Sequence, residues 1–253
     1  MNATPLHGRH IVITRPIDQA KKLSNLIKEA GGEAVSFPLI EIAPLNDYKA
    51  FEDCISHLDQ YDWAIFISSN AVQNGMPFVS KLKLPSSLKF AAIGPSTAAE
   101  LAKFGIQNTL IPVGRFDSES LLAMSEMQAV NNQRVMIFRG VGGRELLADT
   151  LKSRGADVSF AECYKRINPQ KDLSVLTSLS QKEALDAIVV TSSEAMRHLL
   201  AMANHQAWLK NVKLCVNHAR IAEELNQLGL NAYVATAPGD EAMLACLIQA
   251  LNH

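Results

Sequence analysis

Five short segments carry residue types that hold anions: Thr14-Arg15-Pro16, Ser68-Ser69-Asn70, Gly94-Pro95-Ser96-Thr97, Arg139-Gly140-Val141-Gly142-Gly143-Arg144 and Thr191-Ser192-Ser193-Glu194. Each is small, hydroxylated or basic, and each follows a short apolar run. Free N–H groups at the start of a helix, a hydroxyl and a guanidinium together suit a carboxylate or a phosphate. Taken singly, a serine, threonine or asparagine at such a place is an N-cap that closes a helix's first turn. Arginine ends two of the runs, at Arg15 and Arg139, and the segments together predict an anion-binding rim.

Other chemistries find less support. Gly140-x-Gly142 has the start of a dinucleotide fingerprint, but the third glycine position is Glu145, and the corresponding loop Arg15-Pro16-Ile17-Asp18 has no glycine. A nucleotide-dependent enzyme built on residues 140–143 is therefore a weaker alternative. The chain contains no Walker lysine, no H-E-x-x-H and no G-x-S-x-G, and no local pair of carboxylates or His/Cys cluster. No metal is expected. His218 reads as a loop residue, and the methionines and aromatics, at helical or strand spacing, read as core. Cys54, Cys163, Cys215 and Cys246 lie far apart without a C-x-x-C, against a disulfide framework or zinc knuckle.

The elements that must position these loops come in two sets. His10-Ile-Val-Ile-Thr-Arg15 corresponds to Arg134-Val-Met-Ile-Phe-Arg139, and Asp62-Trp-Ala-Ile-Phe-Ile-Ser-Ser69 to Asp186-Ala-Ile-Val-Val-Thr-Ser-Ser193, both at a shift of 124. Lys89 to Gly105 corresponds to Lys213 to Gly229 at the same shift, and Phe116-Asp117 to Gly239-Asp240 at 123. The chain reads as two copies of one unit. Strands are predicted over 11–14, 34–42, 63–68, 90–93 and 109–111 in the first copy, and over 135–138, 158–163, 187–191, 214–216 and 232–235 in the second. Amphipathic helical patterns separate them, as in Leu23, Leu26, Ile27 and Ala30 before Gly31-Gly32. Short apolar strands alternating with helices indicate parallel sheets covered on both faces. Ten strands predict two five-stranded, doubly wound, flavodoxin-like α/β domains.

Composition agrees with this. The 253 residues are 48% hydrophobic and 19% charged, enough to bury a sizeable core. Lys and Arg number 24 against 25 for Asp and Glu, so there is no basic excess for nucleic acid. No apolar run approaches the roughly 18 residues of a membrane span. Residues 1–10 lack the apolar stretch of a signal peptide, and a cytoplasmic location is expected. Charged helix faces (Lys21, Lys22, Lys28, Glu29) and the lack of a heptad seam predict a monomer.

Taken in order, Ile13-Thr-Arg-Pro16, Phe66-Ile-Ser-Ser-Asn-Ala-Val72, Ile93-Gly-x-x-Thr-Ala98, Arg139-Gly-x-Gly-Gly-Arg144, Tyr164-x-Arg166 and Val189-Val-Thr-Ser-Ser193 resemble the uroporphyrinogen-III synthase family. The resemblance covers nearly the whole chain. It implies two domains, 1–38 plus 166–253 and 42–162, linked by extended crossings at 35–44 and 157–169 that hinge. It implies a cofactor-free enzyme that cyclises hydroxymethylbilane, a linear tetrapyrrole with eight carboxylates, to uroporphyrinogen III with loss of water and inversion of ring D. The rim residues Arg15, Ser68, Ser69, Asn70, Gly94, Thr97, Arg139, Gly140, Arg144, Thr191, Ser192 and Ser193 would bind substrate. Thr97 corresponds to Ile221 and Gly94 to His218, so a hydroxyl role does not repeat in the second copy. Tyr164, after the strand 158–163 and in the second crossing, would face the interdomain cleft and assist departure of the substrate hydroxyl, since phenols keep their proton at neutral pH. The alternative is a non-catalytic two-domain protein that closes on a small anion.

Overall fold

The computed structural model describes residues 4–203 and 206–252. The chain begins with β1 (His10–Ile13), α1 (Ile17–Glu29) and β2 (Glu33–Ser36). It continues through β3 (Glu41–Ala43), α2 (Lys49–Ile55), β4 (Trp63–Phe66), α3 (Ser69–Val79), β5 (Lys89–Ala92), α4 (Pro95–Ala102) and β6 (Thr109–Leu110). Then follow α5 (Ser118–Leu122), α6 (Ser125–Gln128), β7 (Arg134–Gly140), α7 (Leu146–Ser153) and β8 (Asp157–Ile167). The last stretch holds α8 (Ser174–Gln181), β9 (Ala187–Val190), α9 (Ser193–Met202), β10 (Lys213–Val216), α10 (Ala219–Gln227), β11 (Ala232–Val234) and α11 (Asp240–Leu251). Two compact units result, residues 1–41 with 167–253, and residues 42–166.

The first unit is a sheet in the order β11-β10-β9-β1-β2, with every pairing parallel. Alternate residues feed two cores. Val12, Ile188, Val190, Leu214 and Val216 pack on one face with α8, α9 and α10, while Ile11, Ile13, Ala187, Val189 and Cys215 pack on the other with α1 and α11. The α1 stripe shows why it folds this way, since Ala20, Leu23 and Ile27 share one buried face. Gly31, at φ +87°, ends that helix in the left-handed conformation a side chain disfavours.

The second unit has the order β3-β8-β7-β4-β5-β6, and the five strands from β8 to β6 pair in parallel. Phe66, Phe138 and Met136 enter one core under α2 and α3, and Trp63, Ile65, Val135 and Ile137 enter the other under α5 and α7. Apart from β3 the two sheets have equivalent orders, each with a crevice where the winding reverses: β1/β9 in the first unit, β7/β4 in the second.

Two differences from the sequence reading matter. The run 34–42 is not one strand: regular pairing with β1 ends at Ser36, Phe37 and Leu39 still donate to the carbonyls of Ile13 and Thr14 at 3.0 Å, and Phe37, Leu39 and Ile40 are buried in the first unit's core. The sixth strand, β3, comes from its tail. Second, the strand expected over 158–163 continues to Ile167, which places Tyr164 on β8 within the second unit rather than in a connection after it.

Candidate active site

In the second unit the carboxyl ends of β4, β5, β7 and β8 collect Ser68, Ser69, Asn70, Gly94, Thr97, Arg139, Gly140, Arg144 and Tyr164. Tyr164 is 3% exposed. Its hydroxyl lies 3.4 Å from Ser68 Oγ, which also accepts the Ala71 N–H at 3.1 Å as the N-cap of α3. The phenol oxygen therefore stands at the positive end of a helix whose first two N–H groups, on Ser69 and Asn70, have no intrahelical partner.

A slip in strand register puts the ring there. Arg139 pairs with Glu162, but the next residue, Gly140, pairs with Tyr164, so Cys163 is extra. Simple alternation would send Cys163 and Tyr164 to opposite faces; with the slip both enter the same core. Cys163 closes the irregularity by donating its thiol to the carbonyls of Arg139 (3.4 Å) and Ala71 (3.5 Å). Burial pushes that thiol up to about 12, so it is held as an unreactive structural group. Gly140 makes the space: a Cβ there would lie 2.6 and 2.7 Å from Tyr164 Cε2 and Cζ.

The arginines are placed differently from expectation. Arg139 is 7% exposed and is turned into the protein. It donates through Nε and Nη2 to Glu162 Oε1 (3.2 and 3.1 Å) and through Nη1 to Glu145 Oε1 (3.0 Å), and its guanidinium lies 3.5 Å from the Phe160 ring centroid. The Gly142 N–H joins the same Glu162 oxygen at 3.1 Å. Arg139 thus fastens the loop after β7 instead of offering its charge outward. Arg144, on that loop, is exposed. Thr97 is buried and its N–H bonds to the Gly94 carbonyl at 3.1 Å, within the first turn of α4.

The first unit gathers Arg15, Thr191, Ser192 and Ser193 at the ends of β1 and β9. Ser192 caps α9 by accepting the Ala195 N–H at 3.1 Å. Arg15 donates to Thr191 Oγ1 at 3.3 Å and pairs with Asp240 at the start of α11, so this guanidinium too already has a carboxylate. Ser193 Oγ accepts from Arg220. His218 caps α10 through Nδ1, a loop role as read from the sequence.

Residues 21–245, spanning both units, match the sequence model of the family described as uroporphyrinogen-III synthase HemD. This chain belongs to the uroporphyrinogen-III synthase family. The uroporphyrinogen-III synthase of Escherichia coli (strain K12) is 32% identical over 243 residues, 94% of this chain and 99% of that relative. That of Proteus mirabilis is 38% identical over 159 residues, 62% of this chain and 80% of the relative. Among solved structures, a mutant uroporphyrinogen III synthase of Thermus thermophilus superposes with a TM-score of 0.63 at 18% identity, covering 96% of this chain and 99% of that one. The Helicobacter pylori uroporphyrinogen-III synthetase gives 0.62 at 16%, covering 95% and 99%. These likenesses carry the fold, and the sequence matches carry the family.

Membership in the uroporphyrinogen-III synthase family places the chain in tetrapyrrole biosynthesis. Among the described residues no cluster of His, Cys, Asp and Glu could hold a metal ion, and no helix is long and apolar enough to cross a membrane. Sequence reasoning missed Glu162, Glu145 and Asp240, the carboxylates that claim the arginines. Asp240 and Glu162 lie 225 and 23 residues from the arginines they hold, where nothing local signals them, whereas Glu145 lies six residues from Arg139.

Proposed function

We propose that this member of the uroporphyrinogen-III synthase family converts hydroxymethylbilane to uroporphyrinogen III, and that Tyr164 supplies the proton that leaves with the substrate hydroxyl. The observation that supports this is the Tyr164 hydroxyl beside Ser68 at the start of α3. Departure of the hydroxyl as water leaves an electrophilic azafulvene. The substituted α-carbon of ring D attacks it to give a spiro intermediate. The bond from that carbon to its original methylene bridge then breaks, leaving the electrophilic methylene on ring C. The free α-carbon across the ring D nitrogen bonds to it, leaving ring D inverted. That carbon sheds one proton as its pyrrole becomes aromatic again. The proton given up at the first step is thus regained at the last, and net loss is one water.

The chain's part is to hold and to move that proton. When Tyr164 gives it up, the phenolate oxygen faces the Ser68 hydroxyl and the positive end of α3, both of which favour negative charge. Substrate carboxylates would be held by the free N–H groups of Ser69 and Asn70 and by the exposed Arg144. Positioning the flexible bilane for attack at the substituted carbon is the larger task, because unassisted closure joins the other carbon. As part of this reading, we take the two units as copies of one duplicated unit, a view supported by the equivalent sheet orders and the shift of 124, with the chain crossing at 35–44 and 157–169.

Tyr164→Phe tests the chemistry because it keeps the ring against Gly140 and removes only the hydroxyl. The type III isomer, separated after oxidation of the product, should form with kcat reduced by roughly 10²-fold and with thermal stability little changed. Full turnover in Tyr164→Phe would remove the acid role and leave positioning as the mechanism.

A further inference from the structure

Gly94 is glycine for space, not for backbone freedom. Its φ of −167° is extended and open to any residue, yet a Cβ there would come within 3.0 Å of Phe116 Cβ and 3.3 Å of Cγ. Phe116 fills the place of the missing side chain and still leaves 51% of itself in solvent. The chain on both sides of it is tied down. Asp117 caps α5 by accepting the Ser120 N–H at 2.8 Å and pairs with Arg115, while the Arg115 N–H bonds to the Val113 carbonyl at 3.1 Å. The half-exposed ring packs against the N-cap of α4, beside the positive end of that helix. The first unit has no counterpart: by the repeat, Gly94 corresponds to His218 and Phe116 to Gly239, so bulky and small residues are exchanged.

We infer that Phe116 is an aromatic platform on which one pyrrole ring of the linear tetrapyrrole stacks, with carboxylates on that ring directed toward the start of α4. This rests on the function proposed above. A planar, electron-rich ring bearing anionic side chains is the ligand class that uses both a ring face and a helix N-terminus. The platform deepens the reading by giving the second unit a means of orienting a ring, which the hydrogen-bonding rim alone lacks.

The experiment is steady-state kinetics with hydroxymethylbilane for the wild type, Phe116→Ala, Phe116→Leu, Phe116→Trp and Gly94→Ala. In Phe116→Ala, KM should rise roughly 5- to 10-fold with kcat within twofold and the melting temperature unmoved, because the ring is half in solvent. Phe116→Trp should restore KM, and Phe116→Leu, which keeps apolar area without a ring face, should not. Gly94→Ala should raise KM by pushing the platform aside while leaving the ring itself intact. A wild-type KM in either Phe116→Ala or Phe116→Leu overturns the platform. Failure of the wild type to make the type III isomer refutes the proposed function itself, and the platform with it.

Discussion

The contact between Gly140 and Tyr164 makes a prediction whose sign depends on a second residue. In Gly140→Ala the new methyl would sit 2.6 and 2.7 Å from two ring carbons of Tyr164, about 1 Å inside the usual carbon–carbon separation of roughly 3.5–4.0 Å. Tyr164 is 3% exposed and packed in the core that holds Phe66, Phe138 and Met136, so the ring has no free volume to retreat into. Overpacking of this kind costs about 1–3 kcal/mol. Against it stands the backbone: Gly140 is a strand residue outside the left-handed region, where alanine is better than glycine by roughly 0.5–1 kcal/mol. The substitution alone should therefore destabilise by up to about 2.5 kcal/mol. In a Tyr164→Ala background the clash is gone and only the backbone term remains, so the same change should stabilise by up to about 1 kcal/mol. Urea unfolding of the four proteins in the cycle measures this directly. An equal effect of Gly140→Ala with and without the tyrosine ring would mean that the ring does not occupy the space above Gly140. Gly140 would then have no part in aiming Tyr164 at Ser68.

Two further predictions concern charge. Arg139→Lys should lose about 2 kcal/mol of stability, and Arg139→Ala more, because one ammonium cannot reach both Glu162 and Glu145 while lying over the Phe160 ring; equal urea midpoints for wild type and Arg139→Lys would contradict the fork. The hydroxyl and N–H of Ser120, with Arg115, hold the Asp117 carboxyl below the ordinary carboxylate range, so its contribution to stability is present above the unfolded value near 3.9 and is lost as pH falls through the lower folded value. Asp117→Asn keeps a capping oxygen but removes the titration, so stability measured from pH 7 to pH 3 should fall less steeply in the variant, and superimposable acid limbs would exclude the linkage.

What the sequence made legible was whatever repeats over short distances. Runs such as Ile11 to Ile13 and Ile188 to Val190 are apolar because parallel strands are covered on both faces, and their alternation with helical stripes was enough for two α/β sheets. The run 34–42 misled because burial and strand pairing leave the same apolar signature. Phe37, Leu39 and Ile40 are buried as the chain leaves β2, and their apolar character is the same as that of the strand before them. Tyr164 was located by the resemblance but placed wrongly. The strand runs on to Ile167 through the charged Lys165-Arg166 pair, and period-2 alternation cannot reveal a slip in register at Cys163.

The arginines show a deeper limit. A guanidinium at the end of a strand looks like a ligand donor when sequence alone does not say which carboxylate will face it: Asp18 lies three residues from Arg15 and does not pair with it, whereas Glu145, six residues from Arg139, does. Whether such a group is free depends on side chains delivered by other elements: Asp240 from the start of α11 for Arg15, Glu162 from β8 and Glu145 from the loop before α7 for Arg139. A substrate carboxylate would have to displace a partner that costs nothing to bring close, whereas the N–H groups of Ser69 and Asn70 have no such competitor. Under the proposed function, substrate carboxylates in the second unit would therefore be held by backbone donors and Arg144. Backbone donors survive every side-chain substitution. This is why removal of the Tyr164 hydroxyl, rather than of any one serine, is the change that separates chemistry from binding.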